Sequence, residues 1–227
     1  MAEAGLKHYS GEAGKIYHSS KRAIPAPAFP WVARLRAEKI QFHIRPSDIV
    51  FEYGLGFGWN LAALNCSRKM GSDAAEFLET GVQSRGIEFI RNPQTLAPAS
   101  IDVVICHHTL EHVINPASTL AEMGQWLRPG GKLLLFVPFE KERRYRSFDP
   151  HEPNHHLFSW NVQTLANLVV EQGYRVVEAG IGPFGYDRFA SAWACKLHGG
   201  ENTFRFIRGL AHALRPAKEV RLVAVKD

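Results

Sequence analysis

Short, continuous apolar runs alternate along this chain with stretches in which apolar residues recur every three or four positions. The runs "PSDIVFEYG", "SIDVVICHH" and "GKLLLFVPF" are rich in Ile, Val and Leu, and each is short enough to be a buried strand. "SRKMGSD" and "IEFI" read as weaker strands, and "YRVVEAGI" and "EVRLVAVKD" as the last two. Between them the period changes. Trp31, Leu35, Ile40 and Phe42 suit a short amphipathic helix that leads into an extended piece. "WNLAALNCS" continues as a helix after the first strand, and Ala74, Phe77, Leu78 and Val82 mark another that stops at Gly86. Asn115-Pro116 is a helix start, with an N-cap residue before proline at the first helical position. That helix runs through Leu120, Met123 and Leu127, with Arg128 in its last turn and Gly130 beyond it. Ser159 is expected to cap a helix with Val162, Leu165 and Val169 on one face, ended by Gly173.

Strands that are apolar throughout, joined by helical crossovers, predict a mostly parallel, doubly wound α/β sheet covered on both faces. A Gly- and aromatic-rich insert, "GIGPFGYDRFASAW", and a short helix separate the last two strands. No internal repeat interrupts the alternation, so one domain is expected: an N-terminal cap over residues 1–45 and the sheet over 46–227.

Composition narrows the class. Of the 227 residues, 45% are hydrophobic and 22% charged, enough to fill a core without disulfide or metal staples. There is no apolar run long enough to span a membrane, and the first 22 residues lack the apolar core of a secretory signal. Cys66, Cys106 and Cys195 are scattered and odd in number, which suits reduced thiols in a cytoplasmic protein. The net charge of +5 is modest and uneven: "EKERRYR" carries Lys141, Arg143, Arg144 and Arg146, which read either as a solvated basic loop or as a means of attracting an anionic substrate group. A nucleic-acid partner is not expected, since no long basic stripe with interleaved aromatics is present.

The stretch "VFEYGLGFGWN" places Gly54, Gly56 and Gly58 at alternate positions straight after the first strand. In an open parallel sheet that position borders the ligand crevice. A phosphate-binding loop would continue with Gly-Lys-Ser/Thr, and this chain continues Gly58-Trp59-Asn60. A nicotinamide dinucleotide site prefers GxGxxG spacing, whereas the spacing here is GxGxG. A tight strand-to-helix turn without a ligand is the third reading. Asp73, nineteen residues after Gly54 at the end of the weak second strand, can accept the two hydroxyls of a ribose or cap a following helix.

Together with "GSD", "IDVVICHHTLEHVINPASTLAEMGQWLRPGGKLLLFVPF" and "HHLFSWNVQTLANLVVEQGY", the glycine stretch resembles the class I S-adenosylmethionine-dependent methyltransferases. The similarity is to their small-molecule branch, types 11 and 23, and covers residues 46–180. It implies a Rossmann-like, three-layer αβα fold with a seven-stranded sheet whose last strand is antiparallel. It also implies S-adenosylmethionine as cofactor and transfer of its methyl group to an O or N atom of a small-molecule acceptor. Gly54 and Gly56 would admit the methionine part, with Glu52 organising that end. Asp73 would take the ribose hydroxyls, Asn92 and Pro93 would flank the adenine, and backbone near Cys106 and His107 would face the sulfonium. Three positions depart from the family's habit, which more often has Asp at Glu52 and at Asn92 and a small residue or Cys at Leu55. A methyltransferase-like binder without catalysis, and an NAD-dependent oxidoreductase, are the competing classes.

Histidines supply the candidate chemistry, because imidazole suits removal of a proton from a hydroxyl or amine near neutral pH. His108, at the end of the fourth strand, is the first candidate and His156 the second. His112 is expected to pack at the start of the next helix. "HEPNH" matches the HExxH string of zinc proteases, but Pro150 and Pro153 oppose the helix that motif requires, so no metal is expected. The N-terminal arm, with Tyr9, Tyr17 and His18, is expected to fold over the cleft as a lid, and the enzyme to be a monomer or homodimer.

Overall fold

The computed structural model describes residues 8–21, 24–140, 147–149, 152 and 154–227. Seven strands form one sheet: β1 (Ile49–Tyr53), β2 (Arg68–Ser72), β3 (Glu88–Phe89), β4 (Ile101–His107), β5 (Leu127–Pro138), β6 (Tyr174–Pro183) and β7 (Lys218–Lys226). Their order is β3-β2-β1-β4-β5-β7-β6, with β7 antiparallel to both neighbours and the remaining pairings parallel. The doubly wound sheet and the antiparallel last strand are therefore as expected. The order turns at β1, which has β2 on one side and β4 on the other. Parallel strands leave a crevice at such a reversal, beyond their carboxyl ends. Register aligns those ends, because Tyr53 pairs with Cys106 on one side and Ser72 on the other.

Successive side chains of a strand point to opposite faces, and here both faces are covered. Phe51, Val104, Leu133 and Leu135 pack against α5 (Pro116–Trp126) and α6 (Val162–Glu171) through Leu120, Met123, Trp126, Leu165 and Val169. Val50, Val103, Ile105 and Leu134 pack the other way, onto α2 (Phe29–Gln41) through Ala37 and Ile40. A third cluster joins α2 to α7 (Asp187–Lys196) and α8 (Glu201–Leu214), with Val32, Trp59, Ala190, Ala194 and Phe204 at its centre. Residues 29–44 are thus built into the core, whereas α1 (Gly11–Lys21) lies over the crevice. Among the described residues no helix is long and apolar enough to cross a membrane.

Several local expectations are corrected. The helix after β1 is only α3 (Trp59–Ala62), because Asn65 is drawn to Gln41 instead of the helical ladder. Its N–H donates to Gln41 Oε1 at 2.7 Å, and its carbonyl accepts from Gln41 Nε2 at 3.1 Å. The next predicted helix is split into a 3-10 turn, Glu76–Leu78, and α4 (Glu79–Gln83), with the poor helix formers Thr80 and Gly81 inside the short second piece. Arg128 is not in a helical turn; β5 begins at Leu127, and Arg128 bonds Asp102 Oδ1 at 2.7 Å. Asn161, not Ser159, caps α6, in a reciprocal capping box with Thr164. Phe42 is exposed, beyond the end of α2. The region between the last strands holds two helices, α7 and α8, where one was expected. The basic stretch at Lys141, Arg143, Arg144 and Arg146, and His151, lie outside the described residues.

Candidate active site

A cleft of about 370 Å³ opens where β1, β2 and β4 end. Gly54, Gly56 and Asp73 border it from the first two strands, His107 and His108 from the fourth, and Tyr9, Tyr17 and His18 from the N-terminal arm. Its volume is within the roughly 300–1,000 Å³ usual for small-molecule sites.

The three glycines answer to different demands, and all have positive φ. A side chain at Gly54 would overlap that of Thr109, and one at Gly58 would press on Ile87 at 2.7 Å. Gly54 is therefore required by the protein's own packing, and Gly58 by its left-handed backbone at φ +77°. Gly56, at φ +53°, has nothing within 4 Å of the place a Cβ would occupy, so its backbone is open to a ligand. Its N–H donates to Asp73 Oδ2 at 2.7 Å, while Asp73 Oδ1 accepts from Ala75 N–H at 2.8 Å. Each carboxylate oxygen carries two lone pairs, so these bonds leave capacity for hydroxyl donors.

Glu52 lies beneath this loop and is fully buried. Burial pushes its carboxyl up to about 8, against the opposing effect of a short hydrogen bond from Asn60 Nδ2. Among the described residues nothing bonds its Oε2. Asn92 caps the 3-10 turn Pro93–Thr95 by accepting from Gln94 N–H at 3.1 Å, and its neighbour Arg91 is the one that borders the cleft.

A charged cluster fixes the opposite wall. Glu219, at the start of β7, is fully buried. Its Oε1 accepts from Lys39 Nζ at 2.6 Å and Arg221 Nε at 2.8 Å, and its Oε2 lies 3.1 Å from His108 Nε2. Burial alone would raise this carboxyl, but the His108 hydrogen bond and the Lys39 charge outweigh it and hold it near 2. Lys39 Nζ also meets His107 Nε2 at 2.8 Å, and burial brings the ammonium down to about 8 in spite of Glu219. His108 has φ +53°, an unusual backbone for a non-glycine residue, and its ring stacks on Phe184 with centroids 3.9 Å apart. Its N–H donates to Phe136 carbonyl at 2.8 Å, which ties the strained residue to β5.

His108 and Tyr17 also border a second, adjoining cleft. Glu111, Glu140 and His156 line it together with Arg215, Lys218 and Arg36, the last paired to Asp187 at 3.0 Å. His156 Nδ1 is 2.8 Å from Glu140 Oε1, and His112 Nδ1 is 2.7 Å from Tyr9 Oη. The structure thus gathers Gly54, Gly56, Asp73, His107 and His108 at the first cleft and puts His156 in the second. Lys39, Glu219, Glu111 and Glu140 were missed from sequence. Glu219 alone left a trace, as a carboxylate at the head of the apolar run Val220-Arg221-Leu222-Val223-Ala224.

The family model Methyltransf_23, described as a methyltransferase domain, matches residues 22–179. The chain belongs to this methyltransferase family. Its fold is that of the class I S-adenosylmethionine-dependent enzymes, and S-adenosylmethionine is the cofactor that accompanies it. The methyltransferase is similar to a Bacillus halodurans protein ascribed to the methyltransferases, with 16% identity, a TM-score of 0.63, and 84% of this chain and 98% of that one covered. The [4+2]-cyclase SpnF has 15% identity and a TM-score of 0.59, over 86% of this chain and 79% of its own. Geranyl diphosphate C-methyltransferase from Streptomyces coelicolor, solved with Mg2+, geranyl diphosphate and S-adenosylhomocysteine, has 13% identity and a TM-score of 0.58, over 86% and 77%. No curated protein sequence matches the chain.

Proposed function

We propose that this methyltransferase moves the methyl group of S-adenosylmethionine to an oxygen or nitrogen atom of a small, anionic acceptor held in the second cleft. The observation that carries the reading is the shared wall: His108 and Tyr17 border both clefts, so ligands in the two would meet across them. Bound S-adenosylmethionine supplies an already activated methyl group, which leaves alignment and proton removal to the protein. Gly56, beside Gly54, offers the open backbone for the methionine part, and Asp73 retains acceptor capacity for the ribose hydroxyls. Glu52 braces the loop from below through Asn60, the turn at Asn92 flanks the adenine, and the His107 backbone faces the sulfonium end.

His108 takes the acceptor's proton in this scheme. Glu219 accepts from Nε2–H and fixes the tautomer that leaves Nδ1 as the base, as an acid partner orients other catalytic imidazoles. His156, held by Glu140, lines the cleft that takes the acceptor and is the second candidate to act on it. Arg215 and Lys218 border the second cleft and support an anionic acceptor, with the basic stretch after Glu140 acting in the same sense. Residues 8–21, which include α1, supply the lid through Tyr9, Tyr17 and His18. Three unpaired cysteines, one of them buried, suit a cytoplasmic enzyme, as monomer or homodimer, without a nucleic-acid or membrane partner.

Calorimetry with S-adenosylmethionine, S-adenosylhomocysteine and NAD, followed by transfer assays on anionic and neutral acceptors, tests the reading. Binding of the first two ligands and transfer to an anionic acceptor is the expected result. His108→Gln should lower kcat by about 10²–10⁴-fold. Cofactor binding without transfer to any acceptor would favour a binding module instead, and NAD binding alone would overturn the assignment.

A further inference from the structure

We propose that Glu111, His112 and His156 bind a divalent transition-metal ion at the wall of the second cleft, and that the ion takes an oxygen of the methyl acceptor. The ion's role toward the acceptor rests on the function proposed above; the metal site itself does not. One ligating atom from each of the three residues lies within 4.8 Å of the others. Glu111 is 1% exposed at its side chain, His112 10% and His156 13%, so the three donors are largely shielded from bulk water.

The hydrogen bonds around the cluster set the imidazole tautomers. Tyr9 O–H donates to Asn154 carbonyl at 2.8 Å, so its oxygen accepts from His112 Nδ1–H at 2.7 Å. His112 then carries its lone pair on Nε2, the atom 3.7 Å from Glu111 Oε1. Glu140 Oε1 likewise accepts from His156 Nδ1–H at 2.8 Å, leaving Nε2 of that ring to donate its electrons. Two imidazole nitrogens and a carboxylate then converge, a donor set that a divalent cation takes. Ligating histidines usually give their other N–H to a carboxylate or other acceptor, as His156 does to Glu140 and His112 to Tyr9. Glu140 is braced in turn, because Ser159 O–H donates to its Oε2 at 2.8 Å.

The backbone brings the two ligand-bearing segments together before any ion binds. Glu111 carbonyl accepts from Leu157 N–H at 2.8 Å and Phe158 N–H at 3.2 Å, which fixes the His156 segment against the Glu111-His112 turn. Ligands at about 2.0–2.2 Å from an ion stand roughly 3–3.5 Å apart, so the cluster must contract by about 1 Å, within the reach of rotamer adjustment. Two imidazoles and one carboxylate suit Zn2+, Mn2+, Fe2+ or Co2+, and three protein ligands leave positions open for an acceptor oxygen. The other histidine cluster, His107, His108 and Glu219, makes a poor metal site. Lys39 Nζ already sits 2.6 Å from Glu219 and 2.8 Å from His107, so the position holds a cation of the protein's own. The ligand set is also distinct from the "HEPNH" string, since it draws on neither of that string's histidines.

Protein stripped with chelator and dialysed should be titrated with Co2+ and followed by visible absorption, then with Zn2+ and Mn2+ by calorimetry. The expected result is one ion per chain with ligand-field bands in the Co2+ form. His156→Ala should weaken binding at least a hundredfold, and Glu140→Gln, which removes only the outer carboxylate, by about 10–100-fold. S-adenosylmethionine affinity should be unchanged in both variants, which also shows that they fold. Absent ligand-field bands, or equal affinity in the wild type, His112→Ala and His156→Ala, would overturn the site. Metal binding without S-adenosylmethionine binding would uphold the site while removing the proposed function. S-adenosylmethionine binding without metal would do the reverse.

Discussion

Glu52 and Glu219 are both fully buried glutamates near the same edge of the sheet, and their acidities are driven in opposite directions. Glu52, on β1, has one amide for company and is pushed up to about 8. Glu219, on β7, has Lys39, Arg221 and His108 around it and is held near 2. Burial is common to the two, so it does not decide the charge; the partners do. The β1 end, with its open glycine and protonated Glu52, is a nearly neutral cradle apart from Asp73. The β7 end is a permanently ionised post against which two histidines are set. In the function proposed above the first end is the cofactor cradle, which must accept backbone and hydroxyl contacts, and the second stands behind a base, which needs a fixed charge.

The largest expected effect comes from removing that post. Glu219→Gln would leave Lys39 buried without its counter-charge, and breaking a buried pair in this way costs about 3–5 kcal/mol. Urea unfolding at pH 7 measures it, and a loss below about 1 kcal/mol would mean that Glu219 is not the anchor described. The pH sign follows from the depressed acidity. Stability from Glu219 is present above the ordinary 4.5 and is lost as pH falls toward 2, so the wild type should show an acid-side decline that the variant lacks.

The two ends also differ in how far they could be read from sequence. The β1 end is local: an apolar run, alternate glycines and Asp73 lie within 24 residues, and each has a backbone reason to be where it is. The helix start at Asn115-Pro116 and the Ile/Val run of β4 were legible on the same ground. The β7 end is assembled over distance. His108 and Glu219 are 111 residues apart, and Lys39 and Glu219 are 180 apart. No spacing rule reaches that far, and a strand carries no mark of its sheet neighbours. Glu111 was hidden differently: it sits inside a stretch that reads as a helix approach, yet its side chain turns inward beside His108.

Asp73 tests the cradle's one charge. Asp73→Ala removes the acceptor for Gly56 N–H and, in the function proposed above, the one for the ribose hydroxyls. S-adenosylmethionine affinity should fall by one to two orders of magnitude, corresponding to about 1.5–3 kcal/mol. Unchanged affinity by calorimetry in a folded variant would take Asp73 out of the site.

Glu52 tests the other half of the comparison. With its acidity raised, the folded protein holds a proton that the unfolded chain gives up above 4.5. Stability should therefore decline as pH rises from 4.5 to about 8, by at most about 1.4 kcal/mol per pH unit from this group. Glu52→Gln cannot ionise and should flatten that slope, so wild type and variant would diverge most at the alkaline end of the window. Thermal unfolding at pH 5, 6.5 and 8 on both proteins measures it. Parallel curves would show that Glu52 is ionised in the fold and that the contrast with Glu219 is illusory.

The smallest stability effect separates two glycines that look equivalent in sequence. At Gly56 a methyl group meets nothing, so Gly56→Ala bears only the strain of φ +53°, about 1–2 kcal/mol. At Gly54 the same methyl overlaps Thr109 as well, with φ +80°, so Gly54→Ala should lose clearly more. Cofactor affinity should rank the pair the other way for a given loss of stability. The Gly56 methyl would stand where the ligand approaches, while the Gly54 methyl is aimed at the protein. Urea unfolding and S-adenosylmethionine calorimetry on both variants decide the matter. If Gly56→Ala binds the cofactor normally while Gly54→Ala does not, the open backbone is not the contact surface, and the cradle must be sought along Thr109 instead.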